Sequence, residues 1–306
     1  MKAIVYNSYG GPEVLTYTTL DKPTPKSKEV LVRIVSTSVT HGDIRMRKAD
    51  PVMARFHSGL FRPRKYPVLG FECSGVIEAI GAEVTSYSNG DEVMVFAGLG
   101  FSAYAEFMTV QSEGKFTKGA LVKKPANISF DEAAVSPTGG ITAIRFLRDL
   151  GIEEAKGKSI LIIGASGSVG TYAVQVAKYY GAIVTGVTST KNVELVQSLG
   201  ADHVIDYTED DFTLSDLKYD MVFDAVGLYN TSVCKKALNL NGTYASVKGS
   251  AKTSGKSLEL LAELMENGTV KSIIDKTYQW DEIVEAHNYV DQGHKVGNVV
   301  VRVIAP

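Results

Sequence analysis

Residues 160–170 read ILIIGASGSVG. A run of branched apolar residues ends at Gly164, and Gly167 and Gly170 follow at intervals of three. This pattern predicts a buried strand turning into a helix. In such a turn the first glycine makes the tight bend and the second lets a pyrophosphate approach the backbone. The third lets helix and strand pack closely, while the helix N-terminus offers N–H donors and a positive dipole end. Gly164, Gly167 and Gly170 fit these roles, and Ser166, Ser168 and Val169 are assigned to the same ligand. Three spaced glycines alone serve equally well as a packing turn, so the surroundings must decide.

The surroundings favour a dinucleotide. Upstream, DEAAVSPTGGITAIRFLRDLG predicts a helix. Downstream come helix VGTYAVQVAKYYG, strand AIVTGV, helix NVELVQSLG, strands HVIDY and YDMVFDAVG, helix SVCKKALNL and strand GTYASV. Alternation of this kind implies a doubly wound α/β domain with a parallel sheet. It runs over residues 128–266. Residues 1–127 differ, with short β-like runs such as EVLVRIV (29–35), GVIEAIG (75–81) and DEVMVFA (91–97) between turn-rich clusters. They predict a mainly antiparallel β-domain. Residues 46–67 show no clear period and are read as a long loop. VKSIID and VGNVVVRVIA are strand-like, and residues 267–306 are assigned back to the first domain.

Bulk properties limit the functions available. Hydrophobic residues make up 44% and charged ones 22%, so ordinary globular cores are expected. A formal net charge of −2 gives no basic surface for nucleic acid. No apolar run reaches the length of a membrane span, and MKAIVYNSYGG lacks a secretory core. The two cysteines, Cys73 and Cys234, exclude a disulfide scaffold and fit a reducing compartment, with a cytoplasmic location expected.

The second strand of the β/α series selects the cofactor. An NAD site places Asp or Glu at its end, bonded to the ribose 2′-hydroxyl. Here the strand ends GVTSTKN (186–192), with no acid. Ser189, Thr190 and Lys191 suit a 2′-phosphate, so NADPH is the expected cofactor. The same residues also read as the cap of a solvated helix. Tyr207, in DYTEDD, is assigned to the adenine or that phosphate, with an exposed strand-end tyrosine as the alternative.

YNSYGGPEVL, GFECSGVIEAIG, GDEVMVF, YAEF, GGITA, GASGSVG, LGADHVIDY and FDAVG occur in this order over nearly the whole chain. Together they resemble the medium-chain dehydrogenase/reductase superfamily. The chain looks like its zinc-free quinone oxidoreductase branch, and YNSYGG, PTPKS, RPRKYP and ELMENGTVKSIID are similar to the chloroplast-envelope quinone oxidoreductase homologues. The resemblance implies a GroES-like β-domain with a Rossmann domain. It implies hydride transfer from NADPH to a quinone or α,β-unsaturated carbonyl. By position, Thr142 of GGITA, Val226 and Gly227 would border the nicotinamide, and Thr40 would form the floor of the substrate site.

Zinc members of the superfamily carry a cysteine where this chain has Thr40 and a histidine where it has Phe71. A catalytic zinc takes about three protein ligands; Cys73 and His41 do not supply them, so no metal is expected. A conjugated acceptor needs no Lewis acid, since it spreads the arriving charge onto oxygen. Tyr66 is grouped with Thr40 as a catalytic candidate; Phe61 and Tyr104 are further pocket candidates. Asp43 and Glu72 read as structural hydrogen-bonding groups. Asn298 replaces a lysine often found near the cofactor in relatives, and Lys295 is the nearby substitute. After GTYASVKG the chain reaches its next helix through only SAKTSGKS, so the parallel sheet is expected to be one strand short. A monomer or an unusual dimer is the corresponding expectation. The competing functions are a zinc alcohol dehydrogenase and a redox-sensing protein that holds NADPH with little turnover.

Overall fold

The computed structural model describes residues 1–52, 54–64, 67–113, 118–214, 216–251 and 256–303. The chain divides into two compact units, Met1–Thr138 with Ile274–Pro306, and Gly139–Ile273.

The first unit begins with β1 (Lys2–Tyr6), β2 (Leu15–Thr19), β3 (Glu29–Ser38), α1 (His41–Lys48) and α2 (Ala54–Ser58). It continues through β4 (Glu72–Ile80), β5 (Glu92–Phe96), β6 (Phe107–Gln111), β7 (Ala120–Lys123) and the start of α3 (Phe130–Asp149). The second unit holds the rest of α3, then β8 (Ser159–Ile163), α4 (Ser168–Tyr179), β9 (Ile183–Thr188), α5 (Val193–Ser198) and β10 (His203–Asp206). Its remaining elements are β11 (Tyr219–Asp224), α6 (Thr231–Lys236), β12 (Leu238–Ser246) and α7 (Ser257–Glu266). The chain then returns to the first unit as β13 (Ile274–Gln279), α8 (Ile283–Asp291) and β14 (Asn298–Arg302).

In the first unit β1 and β2 pair antiparallel, and a larger sheet runs β13-β14-β3-β4-β5-β7. One edge of β3 is shared: Glu29–Arg33 pair with β6 and Ser36–Ser38 with β14. All of these pairings are antiparallel except β13–β14. Val30, Val32, Ile34, Cys73, Val93, Val95 and Met108 form one buried cluster. A second gathers Tyr6, Ile44, Leu69, Tyr104, Ile283, Val290 and Val301.

Two sequence expectations change here. The long loop read over 46–67 is partly helical: α1 extends through Lys48 and α2 forms at Ala54–Ser58. The signal overlooked was Thr40 with Asp43 three residues on, a reciprocal cap at the start of α1. The strand read over VKSIID starts only at Ile274, because Val270 turns back to donate to the Leu264 carbonyl. α8 was not anticipated either, although Ile283, Ala286, His287 and Val290 bury one face at helical spacing.

The second unit is a parallel sheet of order β10-β9-β8-β11-β12. The chain moves from β8 outward through β9 and β10, then crosses to β11 and β12 on the other side. The strand order therefore reverses between β8 and β11, the place where open α/β sheets bind ligands. Among the described residues the sheet ends at β12, as the short link after it implies.

Candidate active site

The glycine loop lies at the C-terminal end of β8. Gly164 has φ +79°, a conformation that glycine adopts freely, and a Cβ there would lie 2.1 Å from Val226 Cγ2. Gly170 sits in the first turn of α4, where a Cβ would lie 2.0 Å from the Gly164 carbonyl oxygen. These two glycines close the turn and press the helix onto the strand. Gly167 differs. Its backbone is extended, and a Cβ would make only ordinary contact, 3.4 Å from the Gly164 carbonyl oxygen, so nothing crowds it. As the N-cap of α4 it brings no capping side chain. The helix N-terminus is thus left to donate to an anion.

Neighbouring turns complete the rim. Asp224, fully buried at the end of β11, accepts from the N–H groups of Val226 (3.1 Å) and Gly227 (2.8 Å). It thereby shapes the turn bearing both residues, a role that its place at a strand end would have signalled. A Cβ at Gly139 in α3 would touch Tyr172 and lie 3.0 Å from Ser168 Oγ. Thr142, one turn further along α3 and half-buried, is carried on this same helix.

At the end of β9, Ser166 Oγ accepts from Thr188 Oγ1 (2.8 Å) and Asn192 Nδ2 (3.1 Å), and Asn192 also reaches Ser189 Oγ. These bonds tie the glycine loop to the segment expected to read the ribose. Asn192 escaped sequence reasoning, yet it is the buried clamp of this corner. Lys191 is exposed and forms no ion pair among the described residues. An acid does stand nearby, although not on β9. Asp206, at the end of β10, accepts from Thr208 Oγ1 at 2.7 Å, and bonds from Thr190 and Thr208 hold its carboxyl below the usual range. Tyr207 is 55% exposed, and its N–H donates to the Thr188 carbonyl, which leaves its ring beside this corner.

The first unit presents a separate polar group. Thr40 caps α1: Asp43 N–H donates to Thr40 Oγ1 (3.2 Å), and Thr40 N–H and Oγ1 donate to Asp43 Oδ2 at 2.9 and 2.6 Å. Asp43 Oδ1 accepts from Gly70 N–H at 2.8 Å. Burial pushes the Asp43 carboxyl up to about 6 despite these bonds. The Phe71 ring packs so tightly on Gly42 that a Cβ there would lie 2.8 Å from it. Next to Phe71, the buried Glu72 accepts from Ser38 Oγ (2.5 Å) and Thr138 N–H (2.6 Å), and burial pushes it up to about 7. The Lys295 ammonium is pushed down to about 8 by burial, opposed by Glu72 and Asp275. Burial, then Arg45 and Lys295, lower His41.

Of the pocket candidates, Tyr104 is fully buried and belongs to the core, not to a pocket wall. Phe61 is 88% exposed, and Tyr66 lies outside the described residues. Cys73 faces inward onto Met108. Thr40 and Phe71 offer neither thiolate nor imidazole, and among the described residues no group of three His, Cys, Asp or Glu side chains is arranged for a metal. Nor is any described helix long and apolar enough to cross a membrane.

Glu72 carries a pH signature. Its folded value lies above its unfolded one, so the folded chain binds more protons than the unfolded chain between about pH 4.5 and 7. Its contribution to stability is full below that window and is lost as pH rises through it. The stability of the unmodified protein relative to Glu72→Gln should therefore fall between pH 5 and 7.5. Urea unfolding of both proteins across this range tests it; parallel curves would contradict the buried, proton-binding state of Glu72.

Residues 26–125 match the alcohol dehydrogenase GroES-like domain, and residues 168–288 the zinc-binding dehydrogenase domain. The chain is 32% identical to the chloroplastic NADPH-dependent alkenal/one oxidoreductase of Arabidopsis thaliana, over 98% of its own length and 79% of the relative's. It is 33% identical, over 98% of both chains, to the chloroplast envelope quinone oxidoreductase homolog of the same plant. These alignments span 327 and 338 positions, more than the 306 residues of this chain, so the relatives carry segments that it lacks. Among solved structures, the quinone oxidoreductase of Coxiella burnetii superposes with a TM-score of 0.83 at 26% identity, over 99% of each chain. With a GroES-like unit, a five-stranded Rossmann unit and relatives matched along its length, the chain belongs to the medium-chain dehydrogenase/reductase superfamily.

Proposed function

We propose that the chain is an NADPH-dependent oxidoreductase that reduces a quinone or an α,β-unsaturated carbonyl without zinc. The observation that carries this reading is a complete glycine loop in a chain with Thr40 and Phe71 at the two superfamily metal-ligand positions. The similarity to alkenal/one and quinone oxidoreductases supports the substrate class. NADPH supplies a hydride when bound.

The uncrowded Gly167 and the start of α4, which has no capping side chain, fit a pyrophosphate. Ser189 and Lys191, on the corner clamped by Ser166 and Asn192, would hold the 2′-phosphate, with the Tyr207 ring on the adenine. Thr142, Val226 and Gly227 would border the nicotinamide. Thr40 would line the acceptor site, and Tyr66 keeps its assignment there from the sequence. The protein's task toward a conjugated acceptor is to orient it and exclude water, because the acceptor itself delocalises the charge. Two buried thiols suit a reducing compartment such as the cytoplasm.

The test is steady-state oxidation of NADPH with a panel of quinones, enones and alcohols, with and without a chelator. Turnover of quinones or enones but not alcohols, undiminished by chelation, is expected. Loss of turnover on removal of a stoichiometric zinc would overturn the zinc-free mechanism. Tight NADPH binding with no turnover of any acceptor would favour a redox-sensing role instead.

A further inference from the structure

Four apolar side chains stand in solvent around α2. Phe61 is 88% exposed, Phe56 71%, Val52 66% and Leu60 50%. Single exposed apolar residues are ordinary, but a group this dense in the sequence marks an interaction surface. α2 is only about 7.5 Å long, so Val52 before it and Leu60 and Phe61 after it stay close to Phe56 in its middle.

The backbone ties this group down. Arg55 N–H donates to the Val52 carbonyl at 3.0 Å and Gly59 N–H to the Arg55 carbonyl at 2.7 Å, which fixes both ends of α2. Arg64 N–H donates to the Ser58 carbonyl at 3.2 Å and closes a loop with Leu60, Phe61 and Arg62 at its tip. Gly59 takes φ +139° there, and a Cβ on it would lie 2.2 Å from the Arg62 carbonyl oxygen, so the loop is built around a glycine. Its base is buried at Ser58 and Pro63 and anchored by the Tyr9 hydroxyl, which donates to the Gly59 carbonyl at 2.6 Å. The Arg55 guanidinium lies over the same Tyr9 ring, 5.1 Å from its centroid. The apolar tip is thus held out from a fixed base.

Cations surround it. Residues 45–64 carry six Lys or Arg and a single acid, Asp50, in a chain whose formal net charge is −2. Arg47 is buried and paired with Asp291, which also takes Lys48. Arg45, Arg62 and Arg64 are exposed. Protruding apolar and aromatic groups rimmed by cations match the interface of a bilayer, where the apolar groups enter the headgroup boundary and the cations meet anionic lipid. A second copy of the chain docked through the same patch would bring its cations against these, which disfavours a two-fold contact.

We propose that the Leu60–Arg62 tip, with Val52 and Phe56 beside it, docks the chain on the surface of an anionic lipid bilayer. The contact is peripheral and needs no spanning helix. It does not depend on the reading of the reaction.

Co-sedimentation of the full chain with vesicles tests it, with phosphatidylcholine alone compared with phosphatidylcholine mixed with phosphatidylglycerol. Binding to the mixed vesicles and not to the neutral ones is expected, weakening as salt rises. Phe56→Ser combined with Phe61→Ser should lower the partition coefficient by roughly tenfold or more through lost apolar burial. Arg62→Gln combined with Arg64→Gln should lower it by a similar factor, about tenfold, the scale of two cations at an anionic surface. All four side chains are exposed, so the thermal midpoints should stay at the wild-type value. If the double phenylalanine variant unfolds, Phe61→Ser alone decides. No binding to the mixed vesicles overturns the proposal. Wild-type binding by the folded phenylalanine variant also overturns it, since the contact would then be one of charge alone. So does light scattering that shows a dimer in free solution which the same variant abolishes, because the tip would then belong to a second copy.

Discussion

Gly170→Ala should lower NADPH affinity on the order of a hundredfold and also lower the thermal midpoint. The added methyl carbon would stand 2.0 Å from the Gly164 carbonyl oxygen and 2.8 Å from Ala165 Cα. Both are backbone atoms, so no side-chain rotation relieves the clash; the loop itself must move. Gly164 cannot absorb the movement, because it is held at positive φ and its N–H donates to the Val187 carbonyl. Displacing the start of α4 from the end of β8 moves the donors that face the pyrophosphate. Gly167→Ala supplies the contrast. Its backbone suits any residue, and its methyl would make only ordinary contact, 3.4 Å from the Gly164 carbonyl oxygen. It should leave the thermal midpoint within a degree or two while weakening NADPH binding, since the methyl would occupy the ligand's room. Calorimetry and fluorescence titration of both variants measure the two effects. Wild-type affinity in Gly170→Ala would remove the glycine loop from the cofactor site.

Lys191→Ala should erode the preference for NADPH over NADH by roughly ten- to hundredfold, the range for a charge-assisted bond. The ammonium is exposed and without an ionic partner among the described residues, so no folded-state pair must be broken to engage a phosphate. Asp206 works against a dianion here, but Thr190 and Thr208 occupy its carboxylate and hold it on the β10 side. Asp206→Asn should therefore move the preference further toward NADPH, opposite in sign to Lys191→Ala. Dissociation constants for both cofactors at fixed ionic strength decide the matter, as salt screens such contacts. Equal constants in the unmodified protein would refute the phosphate assignment.

The parallel sheet and the glycine loop were legible because both depend on local pattern. Branched apolar runs specify buried strands, and glycine is required where a Cβ would meet backbone. The buried contacts of His287 with Arg47 and Tyr104 were not legible, because the three residues are distant in sequence and meet only after α1 and α8 pack. Tyr104 illustrates the difficulty: as an aromatic near a motif it resembled a pocket wall, yet it is fully buried with its hydroxyl 3.0 Å from His287 Nε2. The acid near the ribose corner was missed for a related reason. The pattern for a ribose acid points to the end of β9, whereas Asp206 arrives from the neighbouring strand, opposite Thr188.

The pairing of β14 with β3 also governs the order of assembly. Val300 must find Ser38, so the larger sheet of the first unit stays open until β14 has left the ribosome. The second unit is one continuous stretch and has every strand in hand well before that moment. Domains tend to fold as units during synthesis, and distant pairings form slowly. The nascent chain thus carries a finished Rossmann unit beside an incomplete β-unit, whose β3 has one edge short of its partner at Ser36–Ser38. That interval is when the protein is most exposed to strand pairing with another chain.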